Sequence, residues 1–130
     1  KTVESYGNTI NHAENATETI SYSLPSDAES IQIDIFDSTG NQIDMVRVGS
    51  QTQGKNMATW DGANSQGKPV SAGTYSYAVK AENLAGAPIQ VDTFSSGLVS
   101  DVVFGEDETY AVVNGKEIPI NTIKRVSQTN

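Results

Sequence analysis

The chain has 130 residues, no cysteine, and 8 Lys and Arg against 16 Asp and Glu, a formal charge of −8. That length permits one or two small domains with real cores. The missing cysteines exclude disulfides and thiolate metal sites. The acidic balance argues against nucleic acid and anionic membrane surfaces as partners, because both are bound by clustered Lys and Arg. No apolar run reaches the length of a membrane span, and no signal peptide is visible at Lys1. A start without Met suggests a processed product or an excised piece.

Val3–Tyr6 reads as a short strand. Residues Asn11–Asn15 are polar and read as a turn or linker, with His12, the sole histidine, expected at the surface. Ile20, Tyr22 and Leu24, then Ile31, Ile33 and Ile35, alternate with polar residues, the period of a strand with one apolar face. Pro25-Ser26-Asp27 and Ser38-Thr39-Gly40-Asn41 read as turns. Trp60-Asp61-Gly62 leads into a polar loop ending at Gly67-Lys68-Pro69, and Gly73-Thr74-Tyr75 opens a long strand. Tyr75, Tyr77, Val79 and Ala81 line one face of that strand, with Ser76, Lys80 and Glu82 opposite. After the loop Gly86-Ala87-Pro88, Val91 lies in another short strand.

The remainder differs in character. Val99, Val102, Val103 and Phe104 switch phase, which suggests a bulge. Asn114-Gly115 between Tyr110–Val113 and Ile118–Ile120 is a strong hairpin signal. Pro119, with no N–H to give, belongs on an edge strand. Nothing shows helical periodicity. The reading is all-β: a sandwich over residues 13–94, inserted into a small barrel made from residues 1–12 and 95–130.

Chemistry is hard to find. Asp61–Gly67 fails as a calcium loop, since Ala63 occupies a ligand position and no suitable Glu follows. One histidine cannot build a zinc site, and no nucleophile elbow supports a triad. Glu106-Asp107-Glu108 reads as a solvated loop rather than a hydrolytic pair. Trp60 is expected in the core, with sugar stacking as the functional alternative. Tyr6, Phe94, Phe104 and Tyr110 are read as packing residues rather than a methyl-lysine cage. No catalytic, cofactor or metal residue is assigned.

The whole chain resembles the C-terminal region of bacterial flagellar hook-capping proteins. The resemblance is carried by Trp60, Asp61, Gly62, Gly67, Pro69, Gly73 and Tyr75 in the centre. Ile31–Asp37, Gly40, Ile43 and Gly54 precede that signature, and Gly97-Leu98-Val99, Val112, Gly115, Ile118, Ile120 and Ile123 form a matching closing segment. Ser71-Ala72 departs from the family's usual Pro before Gly73. The resemblance implies an immunoglobulin- or fibronectin-III-like sandwich within a tudor-like barrel, exported to the distal end of the rod and hook. It implies a non-enzymatic scaffold on which hook-protein subunits assemble and which is later displaced. The partners implied are the hook protein, further copies of the chain in a ring, and rod and hook–filament junction proteins. Partner-facing loops are expected around Gly40 and Asn41, at Asn64, Ser65, Gln66 and Lys68, and at Gly86. The alternative is a secreted Ig-like adhesion or carbohydrate-binding module.

Overall fold

A computed structural model describes residues 2–104, 109–114 and 116–127. The strands are β1 (Thr2–Tyr6), β2 (Thr9–His12), β3 (Glu18–Leu24), β4 (Ser30–Phe36), β5 (Gln42–Val48) and β6 (Gly54–Trp60). They continue with β7 (Gly73–Glu82), β8 (Pro88–Ile89), β9 (Asp92–Phe104), β10 (Thr109–Val113), β11 (Lys116–Pro119) and β12 (Ile123–Ser127). A 3-10 turn at Ile120–Thr122 separates the last two. No α-helix occurs among the described residues, and none of their segments is a helix long and apolar enough to cross a membrane. The chain divides into two compact units, Asn8–Thr93 and the two chain ends up to Gly7 and from Phe94.

The larger unit is an antiparallel sandwich. One sheet runs β2-β7-β4-β5, with β8 on β7. Opposite it β3 pairs along its length with β6, and Tyr22 and Ser23 of β3 pair with Thr93 and Asp92. Alternation dictates this arrangement. Ile20, Tyr22, Leu24 and Trp60 point inward from one sheet; Ile10, Ile31, Ile33, Ile35, Tyr75, Tyr77 and Ala81 point inward from the other. Each large side chain so buried contributes roughly 1.5–3 kcal/mol. The Tyr77 hydroxyl crosses the core and donates to the Ser21 carbonyl at 3.0 Å, tying the sheets together. The outer face of the five-stranded sheet holds a buried charge: Asp34 accepts from Gln32 and Gln42 and pairs with Lys80 at 3.1 Å.

The expected polar linker at Asn11–Asn15 is shorter than its composition suggests. Asn11 and His12 are the last residues of β2, paired with Thr74 and Gly73, and the chain turns only at Ala13–Asn15, where Asn15 has φ of 60°. His12 is therefore not at the surface. It follows Ile10 on the inward face of β2 and is 4% exposed.

The smaller unit has the strand order β11-β10-β9-β1-β12, all antiparallel. Its core contains Val3, Ala111 and Val113, with Ile118 and Ile123 packed against them. The chain's first strand does fill a place in this sheet, between β9 and β12. β9 and β10 slip in register where Val112 faces Asp101 and Val113 faces Val99, the expected bulge. Val113 pairs with Lys116 across the turn at Asn114, which has φ of 52°; Gly115 lies outside the described residues, as do Glu106, Asp107 and Glu108. Pro119 lies on an end strand, where its missing donor does no harm. Among the described residues no ladder joins β11 to β12, so the sheet is open rather than a closed barrel. Pro119 ends β11, and the 3-10 turn at Ile120–Thr122 leads directly into β12, which pairs with β1.

Candidate functional site

The Trp60 turn organises one end of the sandwich. Trp60 closes β6 and is wholly buried; its indole N–H donates to the Ala63 carbonyl at 2.9 Å, so its polar atom is satisfied by the turn that follows it. The Asp61 carboxylate accepts from the Ala63 N–H at 3.0 Å, bending the chain. Gly62 has φ of +74°, and a Cβ there would lie 2.5 Å from the Ala16 carbonyl oxygen and 2.6 Å from His12 Cε1. Val70 N–H donates to the Gly62 carbonyl, Ala63 bridges to Pro69, and the Tyr75 hydroxyl donates to the Ser71 carbonyl at 2.7 Å. The structure thus assembles Trp60, Asp61, Gly62, Pro69 and Tyr75 into one packed corner, with Gly73 opening β7 beside it. Trp60 leaves no face on which a sugar could stack.

His12 completes this corner, and sequence reasoning missed it. Its ring lies 5.0 Å from Trp60 and 5.6 Å from Tyr75, which are 5.3 Å from each other. His12 Nδ1 is 2.6 Å from Glu18 Oε2, which also accepts the Ala13 N–H at 3.0 Å. Its Nε2 is buried without a partner. The available signal was the two-residue step from Ile10 to His12 on a strand. No nucleophile joins this cluster, and no group of metal-binding side chains occurs among the described residues.

The three loops expected to face partners share one geometry. In Asp37–Asn41, Asn64–Lys68 and Asn83–Ala87 the first side chain's Oδ1 accepts the N–H groups of the third and fifth residues. The first N–H donates to the fifth carbonyl, and the fourth residue donates to the first carbonyl. That fourth residue is Gly40, Gly67 or Gly86, with φ of 88°, 80° and 81°. An Asp or Asn first and a Gly fourth are the only side-chain requirements. In the first loop the Thr39 hydroxyl also donates to Asp37. That bond, with the Asn41 N–H, holds the Asp37 carboxyl below the usual aspartate range.

Strand direction places these loops. Phe36 pairs with Ser76 near the start of β7, and Ser65 N–H donates to the Ile43 carbonyl, so Gly40, Asn41, Asn64, Ser65, Gln66 and Lys68 lie at the Trp60 end. A polar groove of about 670 Å³ beside them is lined by Asp44, Arg47, Thr59, Asp61 and Ser65 among others. Gly86 follows the far end of β7, where Ala81 and Glu82 pair with Ile89 and Pro88, and so lies at the opposite end.

Two packed antiparallel sheets, a buried tryptophan, a tyrosine hydroxyl tied to the backbone four residues upstream and loops at both ends define an immunoglobulin-like domain. More particularly, the chain belongs to the FlgD Ig-like domain family, which matches residues 7–85. The fold extends beyond that match. The structure of FlgD from P. aeruginosa superposes with a TM-score of 0.87 at 20% identity, covering 98% of this chain and 96% of that one. FlgD from Xanthomonas campestris gives 0.82 at 23% identity over 97% and 91%. Truncated FlgD from Helicobacter pylori gives 0.59 at 19% identity over 96% and 90%. A comparison with curated proteins found no match.

Proposed function

We propose that this chain is the core of a flagellar hook cap: a scaffold at the distal end of the growing hook, outside the cell, on which hook-protein subunits assemble and from which it is later displaced. The observation that carries this reading is membership of the FlgD Ig-like family, together with a likeness to FlgD structures that includes the small terminal unit. The X. campestris structure is described in terms of hook capping essential for flagellar assembly. The mechanism is steric and interfacial, with no catalytic step: the buried corner around Trp60 is a rigid frame and the end loops are what a partner meets. The partners in this reading are the hook protein, further copies of the chain in a ring with head-to-tail contacts, and rod and hook–filament junction proteins. The carbohydrate-binding alternative loses its anchor with the burial of Trp60.

Electron microscopy of basal bodies from cells lacking the parent gene tests the reading. The expected result is rods without hooks, with hook protein shed into the medium. Normal hooks and normal motility would overturn it.

A further inference from the structure

The three equivalent loops differ in one respect that their shared geometry does not explain. After the first residue, the Asp37 loop continues Ser38, Thr39, Gly40, Asn41 and the Asn64 loop continues Ser65, Gln66, Gly67, Lys68. The Asn83 loop continues Leu84, Ala85, Gly86, Ala87 and then Pro88. The first two loops show that the turn forms with polar residues at these positions, so folding does not call for apolar ones here. Leu84 is 84% exposed and residues 85–88 are exposed with it. A lone exposed Leu would be ordinary, but an uninterrupted exposed run without a polar side chain, on a turn fixed by backbone bonds, has the character of a contact site.

The surroundings of this tip indicate what it meets. Leu84 borders a hollow of about 390 Å³ whose other lining residues include Asp27, Glu29, Gln51 and Thr52, with no Lys or Arg. Glu82 lies directly before the loop and is exposed; the Glu29 N–H donates to its carbonyl, which places both at this rim. Lys80, on the same strand as Glu82, is committed to Asp34 at 3.1 Å. A second copy docked through this same tip would set Asp27, Glu29 and Glu82 against their own counterparts.

We infer that the Asn83–Ala87 loop is a docking tip: Leu84 inserts into an apolar pocket on a protein partner whose rim carries Lys or Arg facing Asp27, Glu29 and Glu82. The inference rests on the hook-cap reading in one respect, that the partner to test is the hook protein. The loop is suited to the task because its hydrogen bonds hold Leu84 in place before contact, so little ordering is lost on binding.

The test uses the full-length parent protein and purified monomeric hook protein. Binding is measured by biolayer interferometry at low and high salt for wild type, Leu84→Asp and Met57→Asp, the last an exposed apolar side chain on β6 outside the three loops. Leu84→Asp should weaken binding about tenfold or more, as loss of a central apolar anchor does. Met57→Asp should bind as wild type, and wild-type affinity should fall with salt. The same variants are returned to cells lacking the parent gene. If those cells have no hooks but Leu84→Asp restores normal ones, or binds unchanged, the docking tip is refuted while the hook-cap reading stands. If cells lacking the gene have normal hooks, the hook-cap reading fails and the assigned partner fails with it. Because the altered side chain is exposed, loss of folding is checked by Trp60 fluorescence; a fold intact with binding lost supports the inference. Self-association of wild type that Leu84→Asp abolishes would make the occupant a second copy and overturn the charge argument.

Discussion

Replacing Gly62 by Ala should be far more costly than the same change at Gly86, although both glycines have positive φ. At Gly86, φ is +81° and nothing lies within 4 Å of the added Cβ. The cost there is the left-handed backbone alone, about 1 kcal/mol. At Gly62 the same backbone cost applies, but the Cβ also falls 2.5 Å from the Ala16 carbonyl oxygen and 2.6 Å from His12 Cε1. The oxygen belongs to backbone and the imidazole is held by Glu18 and two aromatic rings, so neither can swing away. Overpacking of that kind adds about 1–3 kcal/mol. The total for Gly62→Ala is about 2–4 kcal/mol, a large share of the stability of an ordinary domain, which is about 5–15 kcal/mol. With a urea slope of about 1 kcal/mol per molar, its unfolding midpoint should fall by roughly 2 M or more, against about 1 M for Gly86→Ala. Trp60 is the chain's sole tryptophan and lies in the sandwich core, so its fluorescence in urea reports this unit specifically. Equal midpoint shifts for the two variants would refute the claim that the Trp60 turn is locked by close approach rather than by φ alone.

Four further outcomes are expected. Tyr75→Phe should cost about 1 kcal/mol through loss of its bond to the Ser71 carbonyl, whereas Tyr22→Phe should be near neutral, because the Tyr22 hydroxyl is buried without a partner. Burial also raises the Tyr22 phenol above its ordinary value, so the unfolded chain ionises first and stability falls as pH rises past about 10; Tyr22→Phe should remove part of that loss in urea titrations on either side of pH 10. Asp37 behaves oppositely: its carboxyl is lowered on folding, so its contribution is present above about pH 4 and is lost as pH falls through the folded value. An NMR titration should find it below ordinary aspartates, and Asp37→Asn should flatten the acid limb of stability. Glu18→Ala leaves the His12 ring and the Ala13 N–H without their acceptor and should cost about 1–3 kcal/mol, while Glu14→Ala, at an exposed position, should stay within about 0.5 kcal/mol by thermal unfolding.

Much of the sandwich was legible because alternation is a direct record of burial. Ile20, Tyr22 and Leu24, and Ile31, Ile33 and Ile35, are core residues in the positions their spacing gave them. The failure at His12 has a specific cause. Hydropathy scores imidazole as polar, yet a ring whose Nδ1 meets a carboxylate can pack between Trp60 and Tyr75 as a flat aromatic surface. What decides its burial is Glu18, six residues away and on the next strand, and no local pattern carries that information. The open edge of the small sheet was illegible for a related reason: whether β11 and β12 pair is a relation between two strands, and neither strand's own alternation records it.

The three loops show the opposite relation between sequence and structure. Their pattern, Asp or Asn followed at the third place by Gly, is short enough to pass unnoticed in a chain with 11 glycines. Only the hydrogen bonds show that Asp37, Asn64 and Asn83 do the same work in the same way. Once that equivalence is established, the residues between the fixed positions stop being loop composition and become a comparison within one molecule. Two loops fill the free positions with Ser, Thr, Gln, Asn and Lys; the third fills them with Leu and Ala. Because the backbone solution is held constant, the difference belongs to what lies outside the fold. The contact assigned to the Gly86 loop therefore centres on Leu84, where a single substitution tests it.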